Sequence, residues 1–264
     1  MKYFYLLALS VIASLGASSQ ITVGSSYSLS LPQHQMSNNI RPVSSLNFNF
    51  MSHFKKMSKL SLGIEAGFGG YAAFTKEQEI RFPDGSGFNA DVSYSSNVVS
   101  AGVLTRYQFF KSAKVNPFLT GKLGYTNFFS SVIVDDPKHD DDCKPLERKT
   151  PISDHSFFAS YGAGLQIDVS SGKNPQRAWI NFSVSQVHGT KLSYIDVREI
   201  KDGNHDHDMN ANNPASTAEG KVPLKISFIN VATQSIHEHQ LATVYNSPLR
   251  LMEMSVGFMW RLDK

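Results

Sequence analysis

The feature that most constrains the fold is a strict alternation of apolar with small or polar residues along three long segments. Residues 60–74, 157–169 and 252–262 place Leu, Ile, Val, Met, Ala or aromatic residues at every second position, with Gly70 as the one exception. The residues between them are mainly Gly, Ser and charged or amide residues. Successive side chains of a β-strand point to opposite faces, so this alternation predicts strands with one apolar and one polar face. Each segment is long enough for a membrane-crossing strand, which needs about 9–11 residues.

Five further segments show the same alternation less regularly. They are residues 20–29, 44–54, 98–110, 118–132 and 178–193. Together with the first three they predict eight strands, and an even strand number is the rule for single-chain bacterial β-barrels in the outer membrane.

The links between these segments alternate in length along the whole chain. Short links cover residues 55–58, 111–117 and 170–176, whereas the long, polar links cover residues 31–42, 75–91, 134–154 and 195–249. Outer-membrane barrels combine short periplasmic turns with long external loops in this way. A soluble β-barrel, which is the alternative, has no reason to sort its loops by length. We therefore predict an all-β fold, an eight-stranded antiparallel transmembrane β-barrel.

The first residues of the chain have the composition of an export signal. Met1-Lys2 precedes an apolar stretch over residues 3–15, and the small residues 17–19 stand before Gln20. This order predicts a cleaved signal peptide over residues 1–19, with the barrel formed by residues 20–264. A buried N-terminal helix or strand is the alternative. The single cysteine, Cys143, allows no internal disulfide.

The polar face of the predicted strands carries six charged residues, three of each sign. These residues are Glu65, Arg106, Lys122, Asp168, Glu253 and Arg261. Six charges in an apolar core would cost too much free energy, so this face is expected to line the lumen of the barrel. An eight-stranded barrel leaves room only for side chains, and balanced charges suit ion pairing across it. We expect a plugged polar interior; a narrow channel is the alternative.

The opposite face carries Leu, Val, Ile, Phe and Ala and is expected to face lipid. Aromatic residues near strand ends are candidates for the girdles at the two membrane interfaces. The candidates are Tyr27, Tyr107, Phe109, Tyr125, Phe129 and Trp260.

Histidine and acidic residues cluster in the two longest links. His205 and His207 lie within His-Asp-His-Asp, and His237 and His239 flank Glu238. Imidazole and carboxylate groups bind transition metals, but none of these runs has the ligand spacing of a known zinc motif. We expect no metal site and no cofactor. A net charge of +3 is also too small to indicate a nucleic-acid partner.

The last link contains two further segments with strand character. Residues 222–229 and 236–245 flank a polar stretch and predict a hairpin above the barrel. Such a hairpin either presents a platform to another protein or a glycan, or extends and caps the barrel.

Residues 187–190, Val-His-Gly-Thr, resemble part of the site of barrel enzymes that deacylate lipid A. In that resemblance His188 is the base and Glu199 or Asp202 is the acid, but Thr190 replaces the expected serine nucleophile. A nucleophilic hydroxyl needs a base within hydrogen-bond reach and an acid to orient that base. Three matching residues do not establish such a site, and we expect no enzymatic activity.

The export signal, the alternating strands and the aromatic last segment, residues 255–262, resemble the small outer-membrane barrels of bacteroidete-type bacteria. These are OmpA-type or PorT-like "porin family" barrels. The resemblance implies a location in the outer membrane, contact with outer-membrane lipid, and roles that range from anchor to adhesin to subunit of a secretion or uptake complex. We expect a non-enzymatic surface scaffold or accessory subunit that acts through its external loops. The alternatives are a small pore and a lipid A hydrolase.

Overall fold

A computed structural model gives the structure of most of the chain. It describes residues 20–53, 59–81, 87–110, 114–134, 147–170, 177–202, 221–227 and 239–262. The predicted signal peptide and Cys143 lie outside the described residues.

Ten strands and two short 3-10 helices make up the described residues. The strands are β1 (Gln20–Pro32), β2 (Val43–His53), β3 (Leu60–Arg81), β4 (Gly87–Gln108), β5 (Val115–Val134), β6 (Glu147–Asp168), β7 (Ala178–Tyr194), β8 (Lys201–Asp202), β9 (Lys221–Ser227) and β10 (His239–Leu262). The 3-10 helices span His34–Asn38 and Val197–Glu199. Within the described part of the chain, no helix is long and apolar enough to cross a membrane.

Eight of the strands close into an antiparallel barrel, which confirms the predicted fold class. Each of β1 to β6 pairs with the next strand in the chain, β7 pairs with β10, and β10 pairs with β1. Tyr27, for example, lies between Leu46 of β2 and Val256 of β10. We call the end at which β1 begins and β10 ends the lower end, and the opposite end the upper end.

The two faces of the barrel wall separate apolar from polar residues. Leu123 is 67% exposed and Phe157 is 66% exposed on the outside, although both are large and apolar. Ile64 is likewise exposed on the outside, whereas its neighbour Glu65 is turned to the inside. The exposed apolar residues form a continuous outer surface, which we call the apolar belt.

Several strands continue above this belt into segments that the sequence assigns to loops. β3 runs to Arg81, β4 begins at Gly87, β6 begins at Glu147, and β10 begins at His239. Much of the predicted loops at residues 75–91, 134–154 and 195–249 is therefore strand. The apolar alternation stops above the belt because these outer faces no longer need to be apolar, but the backbone pairing continues. The predicted hairpin lies here as well: β9 pairs with β10, with Lys221 opposite Tyr245.

Three β-bulges lie where the strands leave the belt. The register shifts between Gly70 and Ala72 in β3, between Ser130 and Val132 in the β5–β6 pair, and between Pro248 and Arg250 in the β7–β10 pair. A bulge inserts one unpaired residue and re-aims the side chains that follow. The alternation predicts Phe74 on the outer face, but beyond the bulge its ring stacks on the buried Tyr94, with centroids 4.6 Å apart.

Candidate functional site in the barrel lumen

The centre of the lumen contains an ion cluster formed by three strands. Lys122 of β5 places its Nζ 2.7 Å from Oε1 of Glu65 in β3 and 2.8 Å from Oε1 of Glu253 in β10. All three side chains are largely buried. An ammonium group that donates to two carboxylates makes strong, charge-assisted hydrogen bonds. These contacts connect opposite parts of the barrel wall through its interior.

Arg106, a second predicted lumen residue, lies against an aromatic ring. Its guanidinium carbon is 4.3 Å from the ring centroid of Phe118, and its Nη1 donates to Sδ of Met259 over 2.8 Å. Phe118 can occupy this position because residue 164 is glycine: a Cβ there would lie 2.5 Å from Cζ of Phe118. A cation over an aromatic face is stabilised by the ring quadrupole.

The remaining two predicted lumen charges lie near the lower end. The guanidinium carbon of Arg261 is 5.0 Å from the ring centroid of Trp179, which packs with Met51, Leu104 and Met259. The carboxylate of Asp168 accepts a hydrogen bond from the backbone nitrogen of Ser170 over 2.9 Å and so helps to end β6. The six predicted residues thus include one cluster of three, two arginines on aromatic rings, and one acid at a strand end.

His53 is a partly buried polar residue at the lower end that is not among the six predicted lumen residues. Its Nε2 is 2.9 Å from the hydroxyl of Thr22, and its Nδ1 is 2.8 Å from the hydroxyl of Ser61. The imidazole therefore connects β1, β2 and β3. A single histidine at the end of a predicted strand carries no sequence pattern that would reveal this role.

A small cavity lies between the ion cluster and Arg106. Its volume is about 30 Å³, and Glu65, Arg106, Lys122, Asn49 and Asn181 are among its lining residues. A volume of this size holds roughly one water molecule. Side chains therefore fill this part of the lumen almost completely.

The upper end of the barrel is filled by apolar residues, which differs from the polar interior that the sequence predicts. We call this cluster the external plug; it consists of Met36, Ile40, Val43, Tyr71, Phe128, Val187, Leu192, Tyr194, Tyr245, Leu249 and Leu251. Met36, Leu192 and Tyr194 are completely buried. Above the belt, the barrel interior is shielded from water by the surrounding wall, so it can hold an apolar core as a soluble protein does.

Residues 195–200 turn inward after β7 and extend the filling above the external plug. Ile195 and Val197 are fully buried in a second apolar cluster with Val92, Tyr94 and other residues. The carbonyl oxygen of Ile195 accepts hydrogen bonds from the Tyr71 hydroxyl over 2.8 Å and from the Ser96 hydroxyl over 3.1 Å. The sequence predicts this segment to lie in a long polar loop, because three apolar residues are too few to form a recognisable pattern.

The weak metal candidates have no described side-chain geometry. His205, His207 and His237 lie outside the described residues, and only the backbone of His239 is described, at the start of β10. Among the residues that the structure describes, no group of three or more His, Cys, Asp or Glu side chains could hold a metal ion. The expectation about the loop histidines stays a prediction.

The residues that resemble a lipid A deacylase site have separate partners. The exposed His188 ring stacks on Tyr161, with centroids 5.8 Å apart. The hydroxyl of Thr190 lies 3.0 Å from that of Ser156, and Glu199 accepts a hydrogen bond from the Tyr245 hydroxyl. The side chain of the other candidate acid, Asp202, is not among those described.

The comparisons with known proteins find likeness in structure only. No family model matches the chain, and no curated protein matches it. The chain resembles Neisserial surface protein A with 9% identity and a TM-score of 0.36, over 92% of this chain and 97% of that one. It resembles a major outer membrane protein of Thermus thermophilus with 9% identity and a TM-score of 0.43, over 93% of this chain and 100% of that one.

A third likeness is to the outer membrane protein OprG of Pseudomonas aeruginosa, with 11% identity and a TM-score of 0.38, over 94% of this chain and 97% of that one. Likenesses with such low TM-scores carry no argument about function. The relationship to bacteroidete-type barrels stays a prediction.

Proposed function

We propose that this protein is a non-enzymatic outer-membrane barrel that acts as a surface scaffold, or as an accessory subunit of an outer-membrane complex, through its external part. The observation that carries the proposal is the filled lumen: an apolar belt surrounds a barrel that is closed inside by an ion cluster and an apolar plug. Such a barrel has its outer wall and its upper end available for function.

The apolar belt supports a membrane location. Along β10 the outward residues from Met252 to Leu262 are apolar or aromatic, and most of them are well exposed. At about 3.3 Å per residue this stretch is roughly 33 Å long, and a strand tilt of about 40° reduces its height to roughly 25 Å. That height matches the apolar band of outer-membrane barrels, which is about 25 Å. Tyr107 and Trp260, exposed near the lower end, suit a girdle position.

The lumen argues against the alternative of a pore. An ion crossing the barrel would meet the external plug, then the cluster of Lys122 with Glu65 and Glu253, and then the lower cluster around Trp179. Between these layers the lumen cavity has a volume of only about 30 Å³. A conducting path would require several packed layers to move.

The strands above the belt supply a surface of paired backbones. β3 and β4 remain paired up to Arg81 and Gly87, and β9 adds to the edge of β10. A continuous hydrogen-bonded backbone above the belt favours recognition of a protein or glycan partner. The long links that follow these strands are the segments in which we expect partner contacts.

The hydrolase alternative has little support in the contacts of the described residues. Thr190 and His188 have the separate partners described above. Acyl transfer needs the hydroxyl and the imidazole within hydrogen-bond reach of each other. We therefore keep the proposal of a non-enzymatic role.

Co-purification from native membranes in a mild detergent tests the proposal. In one variant a short glycine–serine linker replaces residues 203–220, which leaves β8, β9 and β10 in place. We expect the wild type to recover a partner that this variant loses, while both fold into heat-modifiable barrels. A matched variant with the same linker at residues 82–86 shows whether the effect is specific to one link. Recovery of every partner by both variants would contradict the proposal.

A further inference from the structure

The outer face of β7 and β10 changes from apolar to basic residues at one level. Val256 and Met254 are outward on β10, and the next outward residues upward are Met252 and Arg250. Arg250 lies opposite His188 of β7 in the strand register, and both side chains are exposed. Lys191, also exposed, pairs with Pro248 just above them. Three basic side chains therefore meet at the upper edge of the apolar belt.

This basic patch, formed by His188, Lys191 and Arg250, has no acidic partner within the described part of the chain. The ion pairs there involve other residues, such as Lys122 with Glu65 and Arg198 with Asp196. Asp154, the acid on the neighbouring strand β6, uses its carboxylate to accept hydrogen bonds from the backbone nitrogens of Ser193 and His155. Lys191 and Arg250 are two cations on neighbouring positions of the same outer face, where like charges repel, so a bound anion would stabilise the patch.

An apolar groove lies on the outer wall directly below the patch. Its volume is about 560 Å³, and it crosses β5, β6 and β7, with Leu119, Tyr161, Ala163 and Val184 among its lining residues. Tyr161 also connects the groove to the basic patch, because the ring of His188 stacks on the Tyr161 ring at an interplanar angle of 12°. The groove is thus continuous with the basic patch through one aromatic pair.

We propose that this composite surface binds a phosphorylated lipid of the outer leaflet, with the phosphate on the basic patch and an acyl chain in the groove. A guanidinium offers paired donors that match phosphate oxygens, and Lys191 and His188 add further donors. A soluble acidic protein would match the charges but not the groove, which lies within the apolar belt. The inference rests on the outer-membrane location in the proposed function. No bond of the lipid is broken.

The test uses the full chain folded in detergent and presented with an equimolar mixture of diphosphoryl lipid A and its dephosphorylated counterpart. Native mass spectrometry counts the lipid adducts. We expect the wild type to retain about tenfold or more of the phosphorylated lipid relative to the dephosphorylated one. This is the scale of two charge-assisted hydrogen bonds. The double variant Arg250→Gln/Lys191→Gln should lose most of that preference.

Two further variants separate this site from general charge and from folding. Arg41→Gln/Arg148→Gln removes two other exposed arginines and should keep the wild-type preference. Ala163→Trp fills the groove and should lower retention of both lipids. The inference is overturned if the wild type shows no preference, or if the two double variants lose it equally. Failure of the wild type to insert into lipid A-containing vesicles would instead overturn the outer-membrane location itself.

Discussion

The hydroxyl of Tyr71 donates a hydrogen bond to the carbonyl oxygen of Ile195, 2.8 Å away, and connects the wall of the barrel to the segment that fills its upper end. Tyr71 points inward like Glu65, Gly67 and Gly69 before it, and it is also the extra residue of the β-bulge between Gly70 and Ala72. Its ring also lies in the external plug, 5.8 Å from that of Phe128. The single side chain of Tyr71 therefore supplies both an apolar contact and a polar contact to the closure of the lumen.

Replacing Tyr71 with phenylalanine should destabilise the barrel only modestly. The ring packing is retained, and the Ile195 carbonyl still accepts a hydrogen bond from Ser96. The loss should therefore be about 0.5–1.5 kcal/mol, the usual net value of one hydrogen bond. The urea midpoint of unfolding from lipid vesicles measures this change. Tyr107→Phe, at an exposed tyrosine on the outer wall, is the control and should unfold as the wild type does.

Replacing Lys122 with methionine should be strongly destabilising. The variant leaves Glu65 and Glu253 buried without their shared cation, and loss of one partner from a buried ion pair typically costs about 3–5 kcal/mol. The variant Lys122→Met/Glu65→Gln/Glu253→Gln should regain most of the loss, because no unpaired charge remains. Lys114→Met removes an exposed lysine and serves as the control. If Lys122→Met had the same urea midpoint of unfolding as the wild type, the ion cluster would have no structural importance.

An arginine placed in the middle of the belt should impair insertion, whereas one placed above it should not. Val256 and Asn246 are both exposed, outward residues of β10. Val256→Arg should cost about 2–4 kcal/mol because position 256 is expected near the middle of the bilayer. Asn246→Arg should cost nearly nothing. Equal folding yields of the two variants into vesicles would contradict the assignment of the belt to lipid.

His188→Ala should leave the covalent structure of lipid A unchanged in cells that produce the protein. The reason is that the Thr190 hydroxyl contacts Ser156 and the His188 ring stacks on Tyr161, instead of the two contacting each other as the hydrolase alternative requires. Mass spectrometry of extracted lipid A, compared with that from cells without the protein, is the measurement. A modified lipid A species that appears with the wild type and disappears with His188→Ala would establish the hydrolase alternative.

The parts of the fold that depend on local alternation could be predicted from the sequence. The exposed Ile64 and the inward Glu65 follow from the two-residue period of a strand, and eight such segments predict the correct number of barrel strands. The pairing of Lys122 with Glu65 and Glu253 could not be predicted, because it depends on the register of strands far apart in the sequence.

The closure of the upper end depends on features that leave no periodic pattern. The bulge at Tyr71 inserts one residue into a run that still alternates in sequence, so the alternation assigns Phe74 to the wrong face. Met36 and Ile195 are isolated apolar residues in polar links, and only the folded barrel brings them to its interior. Sequence patterns reveal the wall of such a barrel much better than what fills it.

The most direct test of the account is the ionic conductance of the purified wild-type protein in a planar lipid bilayer. Folding into lipid is verified first with protein recovered from lipid vesicles: a folded barrel changes its migration in gel electrophoresis when it is heated. A lumen closed by the external plug and the ion cluster should give no steady conductance steps above the bare bilayer. Reproducible ohmic steps from the inserted wild type would contradict the closed lumen and would establish the pore instead.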